Sequence, residues 1–170
     1  MQFMARIIRA AKLESRLYEE VETDKNATSQ AMVVVLLSSL AASIGVSTHA
    51  GLGGLVIVGL VALLAWYIWA FLIYIIGAKL FPVPQTSARR RELWRTLGFA
   101  SAPGVLRVFG AIPGLTGLAF LVAAVWMLVA AVIAVRQALD YTSTVRAASV
   151  CVPGWLVHVF PLFFLLLLLG

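Results

Sequence analysis

Arg107 is the residue in this 170-residue chain whose chemistry most needs explaining. It stands in an apolar stretch, residues 97–112, that is interrupted by Gly98, Pro103, Gly104 and Gly110. An ionisable side chain inside such a stretch is costly in lipid and by default marks a functional site. Two arrangements would relieve the cost without any function. The arginine snorkels to the outer headgroups, or it bonds to carbonyls freed around Pro103 and Pro113 or to Ser101. The functional arrangement is a broken half-helix lining a substrate or ion path, as Gly/Pro-interrupted spans do in transporters.

His158 lies well inside the last apolar run. It reads either as a hydrogen-bonded histidine within a helix bundle or as a ligand to haem or a chlorophyll-type pigment. A bis-histidine site needs a second ligand at equal depth, and His49 falls in an expected outer loop. Arg136 and Asp140, spaced i,i+4, predict an ion pair at a helix end. Cys151 is the lone cysteine and behaves as a small apolar side chain. No glycine-rich phosphate loop, nucleophile elbow or catalytic carboxylate pair occurs. With only two histidines and one cysteine, the expectation is no catalytic residue, no metal site and no cofactor.

A different chemistry is concentrated at Arg89, Arg90, Arg91, Trp94 and Arg95. Arginines around a tryptophan describe an interfacial anchor, with the ring at headgroup depth and guanidinium groups on phosphate. The alternative is a docking site for a lipid headgroup or an acidic partner. The patch is too short, and too close to a membrane, for nucleic acid.

The elements that position these residues follow from composition. The chain is 62% apolar and 12% charged, with mean hydropathy +1.02. Soluble domains run at about 45–50% apolar and about 25% charged, so a bilayer must be the solvent. No charge occurs between Lys25 and Lys79, between Arg107 and Arg136, or after Arg146. A helix needs about 20 apolar residues to cross. The predicted spans are residues 29–46 and 52–76, joined by a turn at 47–51, then 97–112, 115–135 and 145–169. Five spans with the N-terminus inside put residues 1–28, 77–96 and 136–146 in the cytoplasm. Those segments hold all the acids and every basic residue except Arg107, which fits the positive-inside rule. The fold class is therefore an all-α polytopic membrane bundle of five transmembrane helices, N-in and C-out.

Residues 1–28 form a cytoplasmic amphipathic segment, and 29–170 the five-span domain. Within the first, residues 3–22 predict one helix whose apolar face is Phe3, Met4, Ile7, Ile8, Ala11, Leu17, Tyr18 and Val21, with Leu13 off the stripe. That face lies in the headgroup plane or packs on the bundle's own cytoplasmic ends. A cleaved signal peptide is disfavoured by five acids ahead of the first apolar run. Thr28 or Ser29 is expected to cap the first span, and Thr86 or Ser87 the helix after Phe81-Pro82-Val83-Pro84. Small residues in the first and fourth spans allow close helix contact in lipid.

The pattern Leu97-Gly98-Phe99-Ala100-Ser101-Ala102-Pro103, then Ile112-Pro113-Gly114, Trp126 and Val135-Arg136-Gln137-Ala138-Leu139-Asp140-Tyr141-Thr142-Ser143 resembles the bacterial branch of the Yip1-domain membrane proteins. The resemblance covers roughly residues 28–168 and implies about five spans with a cytoplasmic N-terminus. It carries over no catalytic residue. Eukaryotic relatives engage Rab GTPases, but their Asp-Leu-Tyr-Gly-Pro motif is not found here, so Rab binding is not implied.

The expected function is a non-enzymatic organiser, adaptor or accessory subunit in the bacterial inner membrane. Its expected partners are lipids, including anionic headgroups on the cytoplasmic side, and other membrane proteins or further copies of itself. The alternative is a small transporter or channel built around Arg107.

Overall fold

The computed structural model describes residues 2–80 and 90–169, the side chains at 47–51, 78 and 169 excepted. Among them the fold is all-helical, without strands. In chain order the elements are α1 (Gln2–Ala11), α2 (Ser15–Thr23), α3 (Ala27–Gly45), α4 (Ser47–Tyr74), α5 (Arg90–Ala100), α6 (Thr116–Ala138) and α7 (Thr144–Leu169). A π-helical turn, Ile75–Leu80, prolongs α4, and a 3₁₀ segment, Ala102–Ala111, follows α5.

Four helical stretches are long and apolar enough to cross a bilayer: Ala27–Gly45, Leu52–Gly77, Thr116–Ala138 and Thr144–Leu168. The third apolar stretch is built differently. Pro103 has no N–H to give to Phe99, so the α-helical ladder stops at Ala100. The chain continues as a ten-residue 3₁₀ run, long for a geometry usually held for three or four residues. Together α5 and this run measure roughly 36 Å at 1.5 and 2.0 Å per residue.

That composite rod lies between α3 and α6 and runs parallel to α3. A Cβ at Gly98 would press on Ala31 at 2.7 Å, one at Gly104 would overlap the Ser38 hydroxyl, and one at Gly110 would meet the Gly45 carbonyl at 2.9 Å. The two segments thus advance together along the bundle. Gly114, at φ +84°, turns the chain back into α6, a conformation that costs glycine little.

Three expectations about local structure change. The segment 3–22 is not one helix. Leu13 adopts a left-handed conformation (φ 62°), while Leu13 N–H donates to Ala10 O at 3.0 Å and Glu14 N–H to Arg9 O at 3.1 Å. This is a Schellman stop, and α2 folds back from it. The strained leucine packs against the buried core and lines one apolar groove with Val125, Trp126 and Val129 of α6. Residues 47–51 are not a loop: α4 begins at Ser47, with only Val46 between it and the end of α3, so the His49 backbone is helical. The first span is entered at Ala27 behind Asn26, without a side-chain cap from Thr28 or Ser29. The expected cap at Thr86 or Ser87 falls outside the described residues.

The apolar face of α2 is part of the bundle core. Leu17, Tyr18 and Val21 are fully buried with Trp69, Leu93, Leu97 and Ala134. Of the two placements open to this segment, packing on the bundle's own helices is the one observed. Met4 and Ile8 on α1 remain 61% and 51% exposed.

Candidate functional site

Two polar centres stand out, one at the end of the bundle that carries the α1–α2 hairpin and one inside it. At the hairpin end, α1 and α2 are clasped by ions. Arg6 bonds Glu20 at 2.8 Å and Asp24 at 2.9 Å and reaches Gln30 of α3 at 2.9 Å. Arg9 bonds Glu14 at 2.9 Å and Glu20 at 2.7 Å. Hydrogen bonds from Arg9 and Arg6 hold the Glu20 carboxyl below the usual carboxylate range. The Asn26 N–H, then Arg6, does the same for Asp24. On the far side of the hairpin, Trp126 Nε1 donates to Ala11 O at 2.9 Å.

The arginine-rich segment divides into separate roles. Arg95 is buried and donates from Nε to Val21 O at 3.0 Å and from Nη2 to Glu22 O. Those carbonyls end α2 and have no partner within the helix, so Arg95 is the tie between the hairpin and α5. Trp94 is half-buried, edge-on to Tyr67 with ring centres 5.4 Å apart, and Arg90 lies over it at 4.8 Å. Arg91 is exposed. Arg89 lies outside the described residues.

Between the α2–α3 turn and α5 opens a cleft of ≈ 590 Å³ lined by Glu22, Thr23, Lys25, Thr28, Arg91, Glu92 and Arg95. Burial, with Asp140 and Glu92 nearby, pushes the Glu22 carboxyl up to about 7, against the pull of Arg95. Sequence reading did not find Glu22. Glu19 lies on the same helix, but Glu92 and Asp140 come from separate segments, and no spacing along the chain shows their convergence.

The Arg136–Asp140 pair is replaced by another arrangement. Asp140 takes a left-handed conformation (φ 53°) at a second Schellman stop, with Asp140 N–H on Gln137 O at 3.0 Å and Tyr141 N–H on Arg136 O at 2.9 Å. The residue has therefore left the helix surface that an i,i+4 pair requires. Arg136 instead donates to Thr144 Oγ1 at 3.1 Å and Tyr141 O at 3.4 Å, and Asp140 adds its charge to the field at Glu22.

Inside the bundle, Arg107 is 2% exposed. The 3₁₀ geometry explains why: at three residues per turn, Gly104, Arg107 and Gly110 share one face, and that face is the buried one. The guanidinium points inward, not to the outer surface. It approaches Met127 Sδ at 3.3 Å and the Phe120 ring at 5.8 Å, and its Nε has no partner among the described residues. Neither snorkelling nor a bond to Ser101 is seen; Ser101 donates to Leu97 O at 3.2 Å. His158, 1% exposed, stacks on Trp69 with ring centres 5.1 Å apart. One ring nitrogen faces Ala65 without meeting hydrogen-bond geometry, and Arg107 is near enough for its charge to be felt. Cys151 is buried on α7.

The resemblance implied about five spans; among the described residues the bundle is all-helical, with four helices long and apolar enough to cross a bilayer. The family model of the Yip1 domain matches residues 15–166. The chain belongs to the Yip1 family. Its Yip1 domain begins at α2, the helix whose apolar face is buried in the core, and continues almost to the end of α7. The protein is a multi-pass integral membrane protein. No curated protein and no solved structure matches it significantly.

Proposed function

We propose that this Yip1-domain protein is a non-enzymatic membrane organiser or adaptor, an accessory subunit that packs against lipid and against other membrane proteins or further copies of itself. It crosses a bacterial inner membrane five times, N-terminus in the cytoplasm and C-terminus outside. The third crossing in chain order is the α5–3₁₀ rod, whose parallel course beside α3 supports the count of five. Five crossings put every acid and every basic residue except Arg107 on one side.

The observation that carries an organiser over a transporter is the packing of the 3₁₀ segment. A Cβ at Gly45 would overlap the Arg107 carbonyl, and one at Gly104 would overlap Ser38 and meet Met127 Sδ at 2.9 Å. A water path along Arg107 would require α3 and α6 to part from this segment. Mild extraction from the native membrane, followed by a native gel and mass spectrometry of the band, tests the reading. Co-migration with a larger assembly is expected, and migration alone as a monomer would sink the adaptor role. Cysteines placed along 102–111 should resist a water-soluble maleimide; labelling near Arg107 would make the protein a transporter or channel.

A further inference from the structure

The cleft between the α2–α3 turn and α5 has the depth, charge and donors of a phosphate-binding site. Thr28 sits about 7 Å along α3 below Val33, at 1.5 Å per residue, and Val33 begins the exposed apolar surface of that helix. Headgroups occupy a layer of about 5–8 Å beyond the hydrocarbon core, so the cleft opens at headgroup depth. Lys25 and Arg91 flank it from opposite walls, both exposed and neither with a carboxylate partner among the described residues. Their charges are therefore available to a ligand, unlike Arg6, Arg9 and Arg95, which are spent on the hairpin. With Lys25, Arg91 and Arg95 against Glu22 and Glu92, the walls are cationic in net charge.

We infer that this cleft binds the phosphodiester of an anionic phospholipid, clamped by Lys25 and Arg91, with the Thr28 hydroxyl as a neutral donor and Glu22 as a proton-controlled wall. The inference rests on the lipid-facing reading of the cytoplasmic surface and adds the site and its control. Glu22 faces Glu92 and Arg95 on α5, Asp140 at the α6–α7 turn, and Glu19 on its own helix. When Glu22 is protonated, its carboxyl can donate a hydrogen bond to a phosphate oxygen. When ionised, it joins Glu92 and Asp140 in repelling the anion. Its carboxyl titrates at about 7, so the change falls across neutral pH. A bound phosphate that moves this titration by one unit changes affinity by about tenfold between the two limits.

The experiment is native mass spectrometry of the full-length protein in mild detergent, titrated with dioleoylphosphatidylglycerol at pH 6 and pH 8. Dioleoylphosphatidylcholine and the water-soluble glycerophosphoglycerol serve as comparisons. The phosphodiester stays ionised throughout this range, so any pH dependence belongs to the protein. We expect phosphatidylglycerol to bind in preference to phosphatidylcholine, and up to about tenfold more weakly at pH 8 than at pH 6. The Lys25→Gln/Arg91→Gln double variant should lose the preference, and Glu22→Gln should keep it with a flat pH response. Both clamp residues are exposed, so the double variant should retain the wild-type elution volume. Preference unchanged in that variant, or a pH response unchanged in Glu22→Gln, overturns the site. Equal competition by glycerophosphoglycerol overturns the lipid assignment in favour of a soluble phosphodiester. The native-gel outcome is separate: a larger assembly can be found whether or not this cleft takes phosphatidylglycerol.

Discussion

Arg95 and Arg107 are both buried arginines, twelve residues apart on one rod, and they are treated in opposite ways. Arg95 ends on the last carbonyls of α2, which have no other acceptor role to fill. Arg107 ends on a thioether and the face of a phenyl ring. The difference comes from what each neighbour exposes. A helix terminus offers unpaired carbonyls, whereas the flanks of α3 and α6 have their carbonyls committed to their own ladders. Burial of an arginine is therefore no guide to its role until its donors are followed to their acceptors.

The largest effect expected from breaking this contrast is Arg95→Met. It leaves the Val21 and Glu22 carbonyls without their charged donor, at a cost of about 3 kcal/mol. Thermal unfolding in detergent should show the loss, and limited proteolysis should cut near residues 12–14 as the hairpin detaches. An unchanged digestion pattern would mean that the apolar face of α2 holds the hairpin alone. Gly45→Ala comes next, because its Cβ meets the backbone carbonyl of Arg107 rather than a movable side chain. Overpacking of that kind costs about 1–3 kcal/mol, read as a lower melting temperature.

Arg107→Met should act in the other direction. Replacing a buried charge that lacks a counter-charge among the described residues with an apolar side chain is expected to raise stability by about 1–2 kcal/mol. A fall in melting temperature would sharpen the comparison, since it would mean that the guanidinium is compensated in the membrane. The smallest effect is that of Glu22→Gln on folding. Glu22 titrates near 4.5 when unfolded and near 7 in the fold, so the folded chain holds the extra proton between those values. The stability this gives is fully present below pH 4.5 and is lost as pH rises through 7. The melting temperature of Glu22→Gln should therefore gain on wild type from pH 5 to pH 8. Solvent screening at this half-buried site keeps the difference below about 1 kcal/mol.

Much of this architecture is legible in the chain. Apolar runs free of charge locate the long helices within a few residues, because hydrocarbon tolerates few charged side chains at any register. The break in the third stretch is legible too, since proline lacks the N–H that an α-helix requires. The hairpin at Leu13 was visible only as an apolar residue off its stripe; what the sequence did not show is that a leucine would accept a left-handed conformation. Packing against the buried core offsets that strain, and that core exists only once α6 is in place.

The same holds for the polar residues. Residue types and spacing suggested an Arg136–Asp140 pair, but a Schellman stop removed Asp140 from the helix face. They grouped Arg91, Trp94 and Arg95 as one anchor, whereas the fold sent Arg95 to α2, Trp94 to Tyr67 and Arg91 to the cleft. By itself the sequence determined that this is a helical membrane protein of the Yip1 family, with its acids confined to the segments flanking the apolar runs. Tertiary structure decided that Arg107 shares the glycine face and points inward, because that depends on a 3₁₀ rather than an α-helical register. It also decided that Glu22 and Glu92 line one cleft with the charge of Asp140 acting on Glu22, because a field is set by distances in space and not by distances along the chain.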